Sequence, residues 1–471
     1  MKKFLSVALI LALVLGLCAC SGSGDAAGGK KDGVYVGFGR ENITPDYTVH
    51  MSGGDWKSRT SSGFMDVQYV TCIAITEGGQ TLLLYTMDFI GSSDTFVDPA
   101  RDMISQATGV PKENIWMNAT HTHSGVAISS SWDKTQTYRE MFNEAATKAA
   151  TDAIADQAKA EVYYGGVQTE KMAFVRHYTM SDGTVAGSNF GSFSAGSITG
   201  HVVDADPELQ LVNFVRNDEG KKDILLMSFP AHCTMNQNSK VLSADYPAPT
   251  REYVEANSDH LVAFFQGASG DQVPTSRVGS ENYSTDYKVY GERLGQYAID
   301  GMAGLSKLEN TQLKLTHEIY VGQANKENID RLGDAKKVQQ VIDQYSKSSQ
   351  EAKAAASQYG FSSVYEATAV ISRASAPETE EMELRVFSIG DLGFVLAPYE
   401  MFCRHSMYIK ENSPFPETIV ITLGQGNEGY LPTLEAFEYG SYEAAVSSFA
   451  RGTGEDLAEK YVEMLKGLKG E

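Results

Sequence analysis

The sequence predicts a mixed α/β fold, in which layered mixed β-sheets carry flanking helices and residues 34–471 form a single large domain. Short runs rich in β-branched and aromatic residues recur along the chain, and segments of helical length lie between them. Several runs follow one another closely enough to form hairpins, which favours mixed sheets over a purely parallel sheet. Hydrophobic residues make up 42% of the chain, enough for a sizeable core.

The first residues have the pattern of a lipoprotein signal peptide. Two lysines precede the apolar run Phe4–Leu17, which is too short to span a bilayer. The run ends in Leu17-Cys18-Ala19-Cys20, a lipobox pattern that predicts removal of residues 1–19 and lipidation of Cys20. The alternative is an ordinary signal peptide whose cleavage releases a soluble protein.

The next segment, residues 20–33, is rich in glycine, serine and alanine and has no large apolar side chain. Such a sequence gains too little from burial to offset its ordering entropy, so we expect a flexible tether. No later segment of the sequence is long and apolar enough to cross a membrane. We therefore expect an exported domain, anchored to the membrane on its extracytoplasmic face.

The elements of the domain follow from the hydrophobic pattern. Strands are predicted at Val34–Phe38, Val67–Ile75, Thr81–Met87, Asn114–Asn118, Glu161–Gly165, Leu209–Val215, Asp223–Phe229, Leu261–Phe265, Leu313–Val321, Met382–Ile389, Phe394–Ala397 and Thr418–Thr422. Helices are predicted near Asp98–Thr108, Tyr138–Asp156, Ala248–Ala256, Tyr287–Leu305, Asn328–Tyr359, Glu400–Lys410 and Gly454–Leu468. The segment Tyr178–Thr199, rich in glycine and serine, predicts a long loop or mobile lid over a site.

Charge and cysteine content exclude several classes of function. The net charge is −21, from 60 acidic and 39 basic residues that are interspersed along the chain. Nucleic acids and anionic headgroups both require a basic face, so we expect neither as a partner. Only Cys72, Cys233 and Cys403 lie beyond the lipobox, and they form neither a disulfide framework nor a CxxC metal site.

The strongest local signal is Asn118-Ala119-Thr120-His121-Thr122-His123-Ser124-Gly125, which directly follows a predicted strand. In an extended chain His121 and His123 project to the same face, so both rings can address one point. That arrangement suits a metal ligand with a neighbouring acid/base, and the polar neighbours can fix the ring tautomers. The alternative is a pair of surface histidines with no such role.

Three further candidates share one placement. His232, Glu400 and Tyr430 each lie just beyond the carboxyl end of an apolar strand, as His121 does. In layered α/β proteins functional sites gather at such strand ends. Each candidate alone also has a structural explanation; His232 fits a core histidine, and Glu400 fits the start of a helix.

The segment Gly424-Gln425-Gly426-Asn427-Glu428-Gly429 matches the GxGxxG pattern after a strand. However, Pro432 follows at once, no helix is predicted to open from the loop, and too little chain remains for a dinucleotide-binding unit. We therefore expect no nucleotide cofactor.

Taken in this order, the segments from about Gly37 to Ala445 resemble the catalytic domain of the neutral/alkaline non-lysosomal ceramidase family. The His-Thr-His-Ser-Gly motif is the most specific element of the resemblance. It implies a catalytic domain that hydrolyses the amide between sphingosine and a fatty acid, with one Zn²⁺ held by two histidines, a glutamate and a tyrosine. On this sequence the implied zinc ligands are His121, His232, Glu400 and Tyr430.

The resemblance also implies roles around the metal. His123 matches the acid/base histidine, and Arg176 matches a substrate-binding arginine. Tyr442 matches a further active-site tyrosine, with Tyr439 as a second candidate. Zinc would polarise the amide carbonyl and activate water, while Arg176 or Tyr442 would stabilise the oxyanion.

Two departures limit the resemblance. The family has a Gly-Asp-Val-Ser-Pro-Asn stretch with an active-site serine, whereas this chain reads Gly270-Asp271-Gln272-Val273-Pro274-Thr275, with Val273 at the serine position. Longer ceramidases also continue into a C-terminal immunoglobulin-like domain, which we do not expect here because the chain stops soon after Tyr439.

The leading hypothesis is a zinc-dependent amidohydrolase that acts on an N-acyl lipid or related small molecule. A non-catalytic lipoprotein that retains the fold and binds a metal or ligand is the main alternative, and Val273 is the feature that favours it. A zinc esterase or lactonase with the same site is the third hypothesis.

Overall fold

The computed structural model describes residues 33–53, 59–91, 93–128 and 134–471. The predicted signal peptide, Cys20 and all but the last residue of the tether lie outside these ranges. The strands are β1 (Tyr35–Asn42), β2 (Tyr69–Glu77), β3 (Gln80–Met87), β4 (Ile115–Ala119), β5 (Ala158–Gln168), β6 (Phe174–Val175), β7 (His177–Met180), β8 (Val185–Gly187), β9 (Ile198–His201), β10 (Glu208–Arg216), β11 (Asp223–Phe229), β12 (His260–Gln266), β13 (Gln272–Val273), β14 (Ser306–Lys307), β15 (Leu313–Gln323), β16 (Thr379–Ile389), β17 (Leu392–Leu396), β18 (Glu400–Met401), β19 (Glu417–Ile421) and β20 (Tyr430–Leu431).

Helices occupy most of the connections between these strands. They are α1 (Asp94–Thr108), α2 (Thr135–Ala155), α3 (Pro247–Asn257), α4 (Tyr287–Met302), α5 (Leu332–Tyr345), α6 (Gln350–Gln358), α7 (Val364–Ser375), α8 (Cys403–Asn412), α9 (Leu434–Glu438), α10 (Tyr442–Val446) and α11 (Thr453–Lys469), with 3-10 turns at Lys112–Asn114, Gly279–Glu281 and Ile329–Arg331. In the ranges the structure describes, none of these helices has both the length and the apolarity that crossing a bilayer requires.

The larger sheet has nine strands, eight of them in the order β12-β11-β10-β5-β1-β2-β3-β4. Its strand pairs are antiparallel except at two places, where β11 pairs with β12 and β3 pairs with β4 in parallel. The β2–β3 hairpin turns through Gly78 and Gly79, which both have positive φ, as a two-residue type I′ turn requires. The sheet is therefore mixed, as the close spacing of the predicted strands indicated.

A four-stranded sheet, β15-β16-β17-β19, packs face to face on the larger one. Alternate residues of its strands divide between two cores: Phe387 and Phe394 face the other sheet, whereas Val386 and Val395 face α8 and α11. Helices α1 to α4 cover the outer face of the larger sheet. The result is a helix–sheet–sheet–helix arrangement, which confirms the predicted fold class of layered mixed sheets with flanking helices.

Two predicted elements differ from the structure within their length, apart from shifts at their ends. The helix predicted over 328–359 is divided into α5 and α6, because Ser346 has a φ of 135° and Ser349 caps a new helix. The segment predicted as a long loop over 178–199 contains β8 and parts of β7 and β9, which form a three-stranded antiparallel sheet. In the first segment turn residues interrupt the helix, and in the second they allow short strands to pair. The amino-acid composition of either segment does not reveal these turns.

Candidate functional site

The structure brings the four candidate ligands together beyond the carboxyl ends of four strands. His121 follows β4, and His232 follows β11. Glu400 and Tyr430 lie in the short strands β18 and β20, which follow β17 and β19. Backbone hydrogen bonds join the ends of β4, β12 and β19: the Ala119 N–H donates to the Leu423 carbonyl oxygen, and the Thr422 N–H donates to that of Gln266.

The His-Thr-His segment is not extended, contrary to the sequence-based expectation. His121 has a φ of 65°, in the left-handed region, and the chain turns immediately after it. The ring nitrogens Nε2 of His121 and His123 nevertheless lie 3.4 Å apart. The two rings therefore converge through a turn held by tertiary hydrogen bonds, such as the one from the His123 N–H to the Cys233 carbonyl oxygen, rather than through strand periodicity.

His121 and His232 are held in the same tautomer by the backbone. The Nδ1 atom of His121 contacts the carbonyl oxygen of Ile90, and Nδ1 of His232 contacts that of Ser269. A carbonyl oxygen only accepts hydrogen bonds, so each Nδ1 carries the proton and each Nε2 presents a lone pair. Both Nε2 atoms face Glu400 Oε2, at 3.2 Å from His121 and 3.1 Å from His232.

The donor set fits a metal ion. Glu400 Oε2 is buried and receives no hydrogen bond from the described residues, so three electron-rich atoms face one another without a proton between them. A cation at their centre would relieve that repulsion, and imidazole with carboxylate is a ligand set typical of zinc. Orientation of each ligand imidazole by a backbone carbonyl is the usual second contact of metal-binding histidines.

His123 belongs to the same cluster but differs from the other two histidines. Ligand atoms of His121, His123 and His232 all lie within 4.8 Å of one another, so the three rings form a group that suits a metal. His123 is half-buried, whereas the other two rings are buried. Burial, together with the neighbouring His121 and His232, lowers the pKa of His123 well below its usual range, so its ring is neutral at neutral pH.

His232 is neutral for a related reason. Burial, followed by the nearby charge of Arg176, lowers the pKa of His232 to about 4. The Arg176 Nη1 group lies 3.5 Å from His232 Nε2, which agrees with an Nε2 atom that carries a lone pair. The ring is therefore available as a neutral ligand across the physiological pH range.

Tyr430 is placed against the cluster by strand pairing. Strands β18 and β20 run parallel, and Glu400 is the register partner of Tyr430. The two side chains both line the same cavity. Burial, and then the charge of Glu400, raises the pKa of Tyr430 well above its usual value, so without a cation the phenol keeps its proton.

Arg176 is fixed by a buried carboxylate that the sequence did not single out. Its Nε donates to Glu443 Oε1 at 2.7 Å, and its Nη2 donates to the carbonyl oxygen of Gly270 at 2.8 Å. Glu443 also contacts His177 Nε2 at 2.9 Å, and the Tyr439 hydroxyl contacts His177 Nδ1 at 2.8 Å. Tyr439 therefore supports the arginine through His177.

The cluster forms one wall of a cavity of about 590 Å³. Arg176, Tyr430 and Tyr442 share this wall, and the rings of Tyr430 and Tyr442 lie 5.9 Å apart. Val273 lines the same cavity, so the family's serine position faces the site even though it carries no hydroxyl here.

Sequence reasoning missed three residues that shape the site. Glu443 and His177 hold Arg176 from behind, and Arg59 binds the loop that carries His123 through its carbonyl oxygen at 2.6 Å. Glu443 and His177 are each next to a candidate residue, Tyr442 and Arg176, but adjacency does not show what a side chain contacts. The contact of His177 with Glu443 spans 266 residues and that of Arg59 with His123 spans 64, so these roles depend on the tertiary structure.

Comparison with known proteins supports the fold. No protein-family model matches the sequence, and no curated protein matches it significantly. Among solved structures, neutral ceramidase from Pseudomonas aeruginosa is similar, with a TM-score of 0.68 and 15% identity over 93% of this chain and 75% of that chain. A structure described as ceramidase complexed with C2 matches with the same values. The resemblance noted in the sequence is thus confirmed at the level of architecture, and this chain has the neutral ceramidase fold.

Proposed function

We propose that this protein is a zinc-dependent hydrolase of N-acyl amide bonds, acting on a ceramide-like lipid or a related small molecule. The observation that carries the proposal is the convergence of two Nε2 lone pairs on Glu400 Oε2, an oxygen with no hydrogen bond from the described residues. The likeness of the fold to neutral ceramidase supports the choice of an amide over other substrates.

In this proposal His121, His232, Glu400 and Tyr430 hold the ion. A bound Zn²⁺ would act as a Lewis acid toward the acyl carbonyl and would make water nucleophilic near neutral pH. The distances of 3.1 to 3.2 Å between Glu400 Oε2 and the histidine nitrogens support a compact ligand set. The parallel register pairing of Glu400 with Tyr430 supports Tyr430 as the fourth ligand.

His123 is the acid/base of the proposal. Its Nε2 lies 3.4 Å from that of His121, and the residue is half-buried and lines the cavity, so its ring borders both the cluster and the cavity. It takes a proton from the attacking water and returns that proton to the leaving amine. Arg176 and Tyr442 lie on the same wall, where a guanidinium N–H or a phenol O–H would stabilise the oxyanion.

The location of the enzyme forms a separate part of the proposal. The lipobox at Cys20 supports an exported lipoprotein held at the extracytoplasmic face of a membrane. A membrane anchor would bring the cavity close to substrates that partition into lipid.

A second candidate function is a metal- or ligand-binding lipoprotein without turnover. Val273 in the cavity wall favours it, because the hydroxyl that the family presents at this position is absent. Loss of N-acyl turnover in His123→Ala, with turnover present in the unchanged protein, would exclude this candidate.

The first test measures metal and turnover together. The full-length protein, purified in detergent, should contain about one zinc per chain by mass spectrometry, and His121→Ala and His232→Ala should lose both zinc and amide hydrolysis, because each removes one of few ligands. His317→Ala, an exposed histidine on β15, is the matched control and should retain both. A folded protein that binds no zinc after incubation with the ion would overturn the proposal.

A further inference from the structure

Part of the cavity wall is polar and carries Arg277, whose positive charge has no ion-pair partner among the described residues. Besides the residues already described, the cavity is lined by Gly53, Tyr365 and six polar side chains, Ser188, Asn189, Thr234, Gln237, Asn238 and Arg277. Sites that hold long hydrocarbon chains are lined mainly by apolar side chains, because a polar wall keeps its water unless the ligand makes hydrogen bonds. This part of the cavity therefore suits a polar group of the substrate.

Arg277 has no ion-pair partner among the described residues. Its guanidinium is exposed and stacks on the Phe193 ring, with Cζ 4.1 Å from the ring centroid. Its backbone N–H donates a hydrogen bond to the hydroxyl of Tyr178 in β7 at 2.9 Å, which fixes the position of the Arg277 backbone. The acid four residues further on, Glu281, contacts His201 instead at 3.1 Å.

The other two charged groups of the described cavity wall already have roles within the site. Arg176 pairs with Glu443, and Glu400 faces the histidines of the proposed metal site. In the described part of the cavity wall Glu400 is the only carboxylate, although the chain as a whole carries a net charge of −21. Arg277 is therefore the charged group of the wall that remains available to a ligand.

We propose that Arg277 binds an anionic group of the substrate, which makes N-acyl amino acids and related acidic amides the preferred substrate class of this site. This inference rests on the proposed amide hydrolase function and narrows it. An arginine offers several N–H donors in a planar fork that matches a carboxylate or phosphate, and the Phe193 ring holds that fork in place. The amides of Asn189, Gln237 and Asn238 supply further hydrogen-bonding groups around the anion.

The test compares two substrates that share the acyl chain and the scissile amide, N-octanoylglycine and its neutral counterpart N-octanoylglycinamide. Octanoate release reports on the same bond in both. The full-length zinc-loaded protein should prefer N-octanoylglycine at least tenfold in kcat/KM, since a charge-assisted hydrogen bond contributes about that much or more. Arg277→Gln should lose at least tenfold on N-octanoylglycine and less than twofold on the amide.

Two variants control for charge alone. Arg277→Lys keeps the charge but not the planar fork, so it should retain an intermediate preference for the acid. Arg404→Gln removes the same charge from an exposed arginine that lines a different groove, and it should leave both rates unchanged. Equal effects of Arg277→Gln on the two substrates, or no effect on either, would overturn the inference while leaving the hydrolase function intact.

Absence of octanoate release from both substrates would count against the hydrolase function instead. Calorimetric titration of N-octanoylglycine into the unchanged protein and Arg277→Gln then decides the role of Arg277 separately. At least tenfold weaker binding in Arg277→Gln supports the anion subsite, and equal or undetectable binding in both proteins refutes it.

Discussion

At the scale of single residues, the arginine of the site depends on a carboxylate that is completely buried. The Glu443 side chain has no exposed surface, and that of Arg176 is 10% exposed. Burial disfavours the charged carboxylate, but His177 and Arg176 outweigh it and hold the pKa of Glu443 at about 2. The network therefore keeps Glu443 ionised and fixes the guanidinium beside His232.

Replacing Glu443 by glutamine should destabilise the protein by about 3 kcal/mol, because removing one partner leaves the other charge buried without compensation. Urea unfolding at pH 7 measures the change. Glu438→Gln, an exposed residue of α9, is the matched control and should change the free energy of unfolding by less than about 0.5 kcal/mol. Similar small changes in both variants would show that the ion pair contributes little.

At the scale of elements, α2 packs on β1 more closely than ordinary side chains allow. A Cβ atom built on Gly39 would lie 2.0 Å from the Ala149 carbonyl oxygen, and one on Gly37 would lie 2.0 Å from that of Ala153. Ala149 and Ala153 of α2 are themselves fully buried. Small residues on both elements thus determine the distance between the helix and the sheet that carries His121.

Gly39→Ala should lower the free energy of unfolding by about 1–3 kcal/mol, because the added methyl group forces α2 away from the strand. Gly200→Ala on β9 is the matched control, since a Cβ there meets no atom within 4 Å. Thermal unfolding of both variants provides the comparison, and zinc content should stay unchanged in each. Equal melting temperatures would refute the overpacking argument.

At the scale of the whole molecule, two buried carboxyls make stability depend on pH. Asp66 and Asp245 are linked through Ser243. The Ser243 hydroxyl donates a hydrogen bond to the Asp66 carboxylate and accepts one from the Asp245 N–H. Burial raises the pKa of each carboxyl to about 6, against about 3.9 in an unfolded chain. Between about pH 4 and 6 the folded protein therefore binds more protons than the unfolded chain.

Ionisation of these two carboxyls therefore lowers the free energy of unfolding as the pH rises through that window. At pH 7 both are ionised, and this destabilisation has reached its full size. Asn at position 66 does not titrate. The free energy of unfolding of Asp66→Asn should therefore fall about 1–3 kcal/mol less between pH 4.0 and pH 7.5 than that of the unchanged protein. Urea unfolding at both pH values measures it. Asp218→Asn changes an exposed residue and should keep the pH dependence of stability of the unchanged protein. If Asp66→Asn also kept that pH dependence, Asp66 would not be the group responsible for it.

Much of the architecture follows from local sequence, because the alternation of apolar residues records which face of each strand is buried. In β5 the apolar residues Ala158, Ala160 and Val162 are buried and alternate with Lys159 and Glu161, and such a pattern is visible in the sequence alone. The same reasoning placed four candidate residues at strand ends. It was wrong where backbone angles decide, at Ser346 within a predicted helix and at His121 within a predicted extended segment. Glu400 was also expected to open a helix, but it pairs in β18 and α8 begins at Cys403.

What the sequence by itself determined is the identity of the chemical groups: the His-Thr-His motif, His232, Glu400, Tyr430 and the order in which they occur. Only the tertiary structure decided that His121 and His232 meet one oxygen of Glu400, that Glu443 neutralises Arg176, and that Arg277 has no ion-pair partner among the described residues. The physical reason is that these contacts join segments more than a hundred residues apart. Local periodicity specifies which face of an element is buried, whereas the packing of two sheets and their helices determines which of those faces meet.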